Sequence, residues 1–241
     1  MPGRRPTPPR ICIAGATGLV GLALLARLAP YAGKGRITAL VRQPAQVNGL
    51  PKGVRGQVVD FSALGRAGVA GLPAIDWAFC SLGTTIKVAG SRSAFRAVDF
   101  DAVLAFARAA KVAGASRLAV VSALGADPRS AVFYNRVKGE MEQALRAMAM
   151  PCLVIARPSL LLGDRQALGQ ASRTGEAIAQ ALMPAFGWLM PAFGWLLPRR
   201  LRPIPADAVA AAMISALAKT ATGVVVLESD ALQALAEPAS S

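Results

Sequence analysis

A glycine-rich turn near the start of the chain constrains the fold more than any other stretch. Gly15, Gly18 and Gly21 follow the apolar run 11–14, which has the length and β-branching of a buried parallel strand. The helix-forming run 22–28 comes directly after them. Between a strand and a helix, such a turn lets backbone N–H groups and the positive helix end approach a pyrophosphate. The sequence therefore predicts a dinucleotide site formed by Gly15, Thr17, Gly18, Leu19, Val20 and Gly21.

Strand-like and helix-like segments alternate along most of the chain. Further strands are predicted at 36–42, 53–60, 75–82, 117–122, 152–157 and 223–227, and helices at 93–113, 131–150, 167–181 and 206–219. This alternation is typical of right-handed βαβ units. We therefore predict an α/β fold, a Rossmann-like doubly wound parallel sheet with a small, partly helical C-terminal lobe. Ligands of such folds bind at the carboxyl ends of the strands.

A length of 241 residues fits a single domain of this kind. We assign residues 11–230 to one NAD(P)-binding Rossmann-like domain, with substrate-covering segments at about 160–205. The leader 1–10 is rich in proline and arginine and lacks the apolar region of a signal peptide, so it is predicted to be disordered. Residues 231–241 are predicted to form a C-terminal tail. Three cysteines lie in apolar runs, which is typical of a reduced, cytoplasmic protein.

Charge and histidine content narrow the functions open to the chain. The formal net charge is +14, but the basic residues are dispersed, so no specific nucleic-acid partner is predicted. The chain has no histidine, which excludes histidine-based catalytic triads and histidine metal sites. No metal site is predicted.

A tyrosine and a lysine four residues apart provide candidate chemistry. Tyr134 and Lys138 lie near the start of a predicted helix, where this spacing places both on one face. A nearby ammonium favours phenolate, so we expect Lys138 to lower the pKa of Tyr134 and make it an effective proton donor. Ser122, at the end of the fifth strand, could hold a substrate carbonyl by hydrogen bonding.

The chain resembles the atypical short-chain dehydrogenase/reductases and, more narrowly, the Tat-interacting-protein oxidoreductase-like family of NAD(P)H-binding proteins. Besides the glycine turn and the tyrosine–lysine pair, the resemblance rests on segments 81–85, 95–101, 121–127, 137–140 and 157–163. It implies that Ser122, Tyr134 and Lys138 are catalytic. It also implies cofactor contacts from Asp60 and Phe61 near the adenine, Leu82, Gly83 and Thr84 along the cofactor, Lys138 at the ribose, and Pro158 and Ser159 near the nicotinamide. Asp99 lies in the region where classical relatives carry an asparagine.

The residue after the second strand bears on the choice of cofactor. NAD-specific sites place a carboxylate there to accept a hydrogen bond from the ribose 2′-hydroxyl. This chain has Arg42 instead, and a guanidinium can bind a 2′-phosphate through two charge-assisted hydrogen bonds. We therefore predict that NADPH is preferred over NADH.

An uncharged stretch near the C-terminus contains a perfect seven-residue repeat. Residues 182–188 are copied at 189–195, between Glu176 and Arg199. Three roles remain open for the segment: a pocket cover or homo-oligomer surface, a peripheral membrane contact, and a membrane span interrupted by prolines and glycines. The partners predicted beyond a small-molecule substrate are a second copy of the chain or a membrane surface, both through 182–197.

Two functional hypotheses follow from these motifs. The first is an NADPH-dependent oxidoreductase that reduces a small carbonyl or quinone-like substrate, with Tyr134 as the proton donor. The alternative is an NADPH-bound sensor or interaction protein with little turnover, which uses the apolar repeat to bind a partner or a membrane surface.

Overall fold

Seven parallel strands form the central sheet in the computed structural model, which describes residues 8–30, 35–64, 72–162 and 198–236. The strands are β1 (Ile11–Ala14), β2 (Ile37–Val41), β3 (Val54–Val58), β4 (Trp77–Cys80), β5 (Arg117–Val121), β6 (Cys152–Arg157) and β9 (Gly223–Glu228). Their order is β3-β2-β1-β4-β5-β6-β9. The order reverses between β1 and β4, the position where doubly wound sheets bind their ligands. The predicted fold class is confirmed, and each predicted strand lies within two residues of its observed ends.

Helices cover both faces of the sheet. They are α1 (Leu19–Leu28), α2 (Ile86–Ala89), α3 (Arg92–Arg96), α4 (Val103–Val112), α5 (Phe133–Ala147), α6 (Ala206–Lys219) and α7 (Ser229–Ala236). Single 3-10 turns occur at Pro44–Val47 and Arg199–Leu201, and a π-helical turn, Ala97–Ala102, joins α3 to α4. The predicted helix at 206–219 is confirmed. The helix predicted at 131–150 is shorter, because Val132 is extended and Ala149 has a positive φ of 49°.

Two apolar clusters, one on each face, hold the helices to the sheet. On one face Ile13 and Val154 pack with α1, α6 and α7. On the other face Val120 and Ile155 pack with α4 and α5. Residues of the five inner strands are almost all buried, as expected for a parallel sheet covered on both sides, whereas the edge strands β3 and β9 are more exposed. Because helices cover both faces of the sheet, a ligand is expected at its carboxyl edge.

The ends of the described chain differ from the boundaries predicted from sequence. Arg10, assigned to the leader, makes a bidentate ion pair with Asp76 at 2.7 Å. Residues 231–236 are helical instead of forming a tail, because Leu232 is fully buried against the core and holds α7 in place. Both segments are therefore part of the folded domain.

The C-terminal lobe is only partly described. A two-residue strand, β7 (Leu161–Leu162), pairs in parallel with β8 (Ile204–Pro205). The predicted helix at 167–181 and the tandem repeat at 182–195 lie outside the described residues, so the roles proposed for the segment 182–197 stay predictions. Among the helices that the structure describes, none is long and apolar enough to cross a membrane.

Candidate functional site

The glycine turn connects β1 to α1 in a conformation that side chains would prevent. Gly15 has a φ of +80°, and a Cβ there would lie 2.6 Å from the backbone of Ser81, which directly follows the neighbouring strand β4. A Cβ on Gly21 would lie 2.1 Å from the Gly15 carbonyl oxygen. The first turn of α1 carries no acidic residue, and its N-cap, Gly18, makes no side-chain cap. The cradle therefore fits a phosphate group, which needs open backbone N–H donors and no nearby negative charge.

A surface pocket of about 380 Å³ lies beyond the ends of β2 and β3. It is lined by Arg42, Val58, Val59, Asp60 and Phe61. Three of these residues are the ones that the sequence assigned to the adenosine end of the cofactor. The Arg42 side chain is exposed, while Phe61 is buried in the apolar floor. Oδ1 of Asp60 accepts hydrogen bonds from the backbone N–H and the hydroxyl of Ser62, which orders the turn that follows β3.

The loop after β4 closes over a buried ion pair. Lys138 Nζ lies 2.7 Å from Asp99 Oδ1, and the two side chains are 3% and 1% exposed. The second oxygen of Asp99 accepts the backbone N–H of Thr84 at 2.8 Å. Gly83 lies next to the pair, since a Cβ on it would be in ordinary contact with Asp99 Oδ1, at 3.4 Å. Asp99 therefore links the predicted cofactor loop to the predicted catalytic lysine.

The π-helical turn at 97–102 places Asp99 in this position. The sequence predicts one regular helix at 93–113, but the helical stretch contains a wider turn between α3 and α4. Asp99 lies in the first turn of the π segment and is its one buried residue. Such turns are frequent at functional sites, where they redirect a side chain. The helical periodicity alone did not indicate this one.

Tyr134 lies one turn before Lys138 on α5, as the four-residue spacing predicted. Its ring is half-buried and packs on the fully buried Phe95, with the ring centroids 5.4 Å apart. Burial by itself lowers the pKa of Lys138, but the Asp99 carboxylate and Tyr134 outweigh burial, and the pKa of the lysine is raised. Lys138 is therefore charged at neutral pH. An ammonium one helical turn away would stabilise a negative charge on the Tyr134 oxygen.

The side chain of Ser122 does not have the predicted arrangement. Its hydroxyl donates to Glu142 Oε1 at 2.6 Å in the buried interior. A hydroxyl has a single proton, so in this arrangement Ser122 has none to donate to a substrate carbonyl. Arg157 also binds both oxygens of Glu142, at 2.9 and 2.7 Å. Ser122 is thus part of a buried charged network, and the prediction that it orients the substrate disagrees with the observed geometry.

Glu142 and Arg157 are functional-site neighbours that the sequence reasoning missed. The guanidinium of Arg157 also pairs with Glu228 at the end of β9, at 2.8 Å. The network therefore joins the ends of β5, β6 and β9 through α5. Glu142 lies on α5, eight residues after Tyr134. The one sequence signal for its burial is its position on the helix face that is otherwise mostly apolar.

Pro158 and Ser159 follow β6 directly, at the same sheet edge as the other predicted site residues. The Pro158 carbonyl accepts the backbone N–H of Leu124 at 3.0 Å, so this turn contacts the loop after β5. The Ser159 hydroxyl donates to the Arg202 carbonyl and accepts from the Ser229 hydroxyl. Ser159 therefore ties the turn to the C-terminal lobe. Leu82, after β4, is half-buried against the apolar cluster of that face.

The sheet edge as a whole brings together two parts. The glycine turn and the Arg42 pocket lie on the β1–β2–β3 side, and Tyr134, Lys138 and Asp99 lie on the β4–β5 side. A dinucleotide extended along this edge would reach from one part to the other. The part with Tyr134 holds a phenol and a buried cation, a combination that could protonate an oxygen that gains negative charge.

The chain is similar in sequence to known proteins. The sequence model of the NAD(P)H-binding family matches residues 15–180. The mitochondrial protein fmp52 of Emericella nidulans is 33% identical over 180 residues, which is 73% of this chain and 76% of that protein. Protein HTATIP2 of Rattus norvegicus is 34% identical over 171 residues, which is 70% of this chain and 68% of that protein.

A solved structure supports the fold independently. An oxidoreductase of the short-chain dehydrogenase/reductase family from Burkholderia thailandensis superposes with a TM-score of 0.66 at 18% identity, covering 94% of each chain. At this identity the likeness shows the fold alone. Together with the family match over the glycine turn and the tyrosine–lysine helix, it confirms the resemblance stated from the sequence. The chain belongs to the NAD(P)H-binding family.

Proposed function

We propose that the protein is an NADPH-dependent reductase of a small carbonyl or quinone-like substrate, with Tyr134 as the proton donor. The observation that carries this proposal is the buried Lys138–Asp99 pair, one helical turn from Tyr134 and at the same sheet edge as the glycine turn. A fully buried ion pair is expensive to maintain. Here it holds an ammonium in a fixed place beside the phenol.

In this proposal the residues of the chain have separate tasks. Tyr134 donates a hydrogen bond to the substrate oxygen and gives it a proton as the oxygen gains negative charge. Lys138 stabilises the resulting phenolate, and Asp99 holds both the ammonium and the Thr84 backbone N–H. A nicotinamide cofactor would be held by the glycine turn and would supply the hydride.

Turnover by a Tyr134→Phe variant tests the assignment. The expected result is loss of NADPH oxidation against a panel of aldehydes, ketones and quinones, with the affinity for NADPH unchanged. The phenylalanine preserves the ring contact with Phe95, so folding should be retained. Undiminished turnover in this variant would remove Tyr134 as the acid. If the wild-type protein binds NADPH but reduces nothing in the panel, the reductase proposal fails.

The preference for NADPH is a second part of the proposal. Arg42 lines the pocket after β2 and β3, and no acidic residue follows β2 to bind a ribose hydroxyl. A charge-assisted hydrogen bond contributes about 1.5–3 kcal/mol. Arg42→Ala should therefore weaken NADPH binding by about tenfold to a hundredfold and leave NADH binding unchanged. Arg55→Ala, on the exposed face of β3, is the control for loss of one positive charge. Equal losses for both cofactors would contradict the preference.

One observation favours the second candidate function, a cofactor-bound sensor or interaction protein. The Ser122 hydroxyl is engaged by Glu142, so the site has one fewer donor for a substrate oxygen than a serine–tyrosine–lysine set. Tight NADPH binding without turnover, together with loss of partner or vesicle binding on deletion of residues 189–195, would support this candidate.

A cytoplasmic location is retained as part of the proposal, on the basis of the buried, unpaired cysteines. The name of the fungal relative fmp52 gives a mitochondrial location for that protein. Cell fractionation of the untagged protein tests the assignment, and its recovery with an organelle would contradict it.

A further inference from the structure

Two arginines contact one aromatic ring beside the proposed proton donor. The Cζ atom of Arg92 lies 5.2 Å from the ring centroid of Phe133, and that of Arg136 lies 5.8 Å from it. Phe133 directly precedes Tyr134, and both rings pack on Phe95, with centroids 5.8 and 5.4 Å away. The two guanidinium groups therefore lie at the start of α5, against the ring that precedes Tyr134 in the sequence.

Neither of these guanidinium groups is neutralised by the described part of the chain. Within the described ranges, Arg92 and Arg136 form no ion pair with a carboxylate, whereas the neighbouring Arg96 pairs with Glu140. Arg136 Nη1 donates to the carbonyl oxygens of Ser130 and Ala131, at 2.8 and 3.3 Å, which fixes its direction without cancelling its charge. Arg92 is exposed. The start of α5, where Tyr134 lies, thus carries two positive charges.

The phosphates of the cofactor do not account for this charge. The glycine turn and Arg42 follow β1 and β2, whereas Arg92 lies beyond β4 and Arg136 beyond β5. A guanidinium on an aromatic ring is held flat and is weakly hydrated, which suits it to bind a carboxylate, sulfonate or phosphate group. A ligand group bound here would lie at the start of α5, the helix that carries Tyr134 and Lys138.

We infer that the substrate is a carbonyl compound with a negatively charged group, and that Arg92 and Arg136 bind that group. The inference rests on the proposed reductase function and names its substrate class. The charge on the substrate makes its binding dependent on both arginines and on salt concentration, since exposed charges are screened by salt. A neutral compound of the same shape is bound without that dependence.

A matched pair of aldehydes tests the inference: 4-formylbenzoate, which is negatively charged, and its neutral methyl ester. NADPH oxidation gives kcat/KM for each aldehyde, and calorimetry gives the affinity of the NADP-loaded protein for each. We expect kcat/KM for the acid to exceed that for the ester by about tenfold at low salt, an advantage that shrinks as salt is added. Arg92→Gln and Arg136→Gln should each remove most of the advantage and leave the ester unaffected.

Arg92→Gln is the decisive variant, because Arg136→Gln also breaks the hydrogen bonds to the 130–131 carbonyl groups. Arg108→Gln, on the exposed side of α4, is the control for loss of one positive charge and should behave as wild type. Equal kcat/KM for acid and ester in the wild-type protein would overturn the inference and leave the reductase proposal standing. Weaker NADPH binding in the Arg92 variant, with the acid-to-ester ratio unchanged, would also overturn it.

If neither aldehyde is reduced, the affinity of the protein for 4-formylbenzoate tests the inference. The lack of reduction itself counts against the proposed reductase function with this class of substrate. Calorimetry with the NADP-loaded protein then reports on the anion site alone. Binding of 4-formylbenzoate that weakens about tenfold in Arg92→Gln, but not in Arg108→Gln, supports the site. Binding that is absent, or equal in both variants, overturns it.

Discussion

Replacing Asp99 with asparagine separates the charge of the buried pair from its shape. The carboxylate accepts from Lys138 at one oxygen and from the Thr84 N–H at the other. An asparagine has a single carbonyl oxygen, so its NH2 group must face one of these two donors. The buried ammonium also loses its counter-ion, and breaking a buried pair on one side costs about 3–5 kcal/mol. We expect Asp99→Asn to lower the free energy of unfolding by about 3 kcal/mol.

The wild-type protein and the Asp99→Asn variant should also differ in how their stability changes with pH. In the wild-type protein the pKa of Lys138 is raised above its ordinary value of 10.5, so the stabilisation is complete below pH 10.5 and is lost above it. Without Asp99, burial dominates and the pKa of Lys138 falls below 10.5. The variant should therefore gain stability as the pH rises towards 10.5.

Urea unfolding of the cofactor-free protein between pH 7 and 10 measures both effects. Asp101→Asn, two residues further along and exposed, is the matched control and should change stability by less than about 0.5 kcal/mol. In a double-mutant cycle, Asp99→Asn with Lys138→Met should cost less than the sum of the single changes, since no unpaired buried charge remains. A loss below about 1 kcal/mol in Asp99→Asn, with no change in the pH slope, would refute the assignment of a stabilising buried pair.

Three further predictions concern the surroundings of the site. Gly21→Ala should lower the free energy of unfolding by about 2 kcal/mol in a urea titration, because the new Cβ would lie 2.1 Å from a backbone oxygen. Gly18→Ala is the control and should change the free energy of unfolding little, because its Cβ would have ordinary contacts. Glu142→Gln should cost about 2 kcal/mol by the same measurement, since the Arg157 guanidinium that it faces keeps only its exposed partner. Burial raises the pKa of the Cys80 thiol to about 12. Ellman's reagent should therefore label Cys80 at pH 8 only after the protein is unfolded. Labelling of Cys80 in the native protein would contradict its burial.

The strands and the cofactor side of the site could be predicted because the signals are local. Continuous apolar runs of strand length and glycines at the end of the first run do not depend on distant parts of the chain. Parallel strands end at one edge, so Arg42, Asp60 and Phe61 line a single pocket, and their assignment to the cofactor stays a prediction. The preference for a 2′-phosphate remains a prediction.

The interior of the catalytic side could not be predicted because it depends on partners that are far apart in sequence. Ser122 has the expected position at the end of β5, but its hydroxyl direction is decided by Glu142, twenty residues later on α5. The inward placement of Asp99 depends on a π-helical turn, which leaves no mark in a helical periodicity. Both features are consequences of packing between α5 and its neighbours.

The engagement of Ser122 changes what must orient the substrate. A carbonyl held by Tyr134 alone can rotate about that hydrogen bond, and holding a reactant in the reactive geometry lowers the barrier by several kcal/mol. In our proposal the second attachment is a charged group on the substrate, bound by Arg92 and Arg136. Ser122→Ala should therefore lower the free energy of unfolding by about 2 kcal/mol, because Glu142 loses a buried donor, while turnover at saturating substrate is retained. A Ser122→Ala protein that unfolds like wild type but loses turnover would return the serine to the reaction and remove the need for a charged substrate.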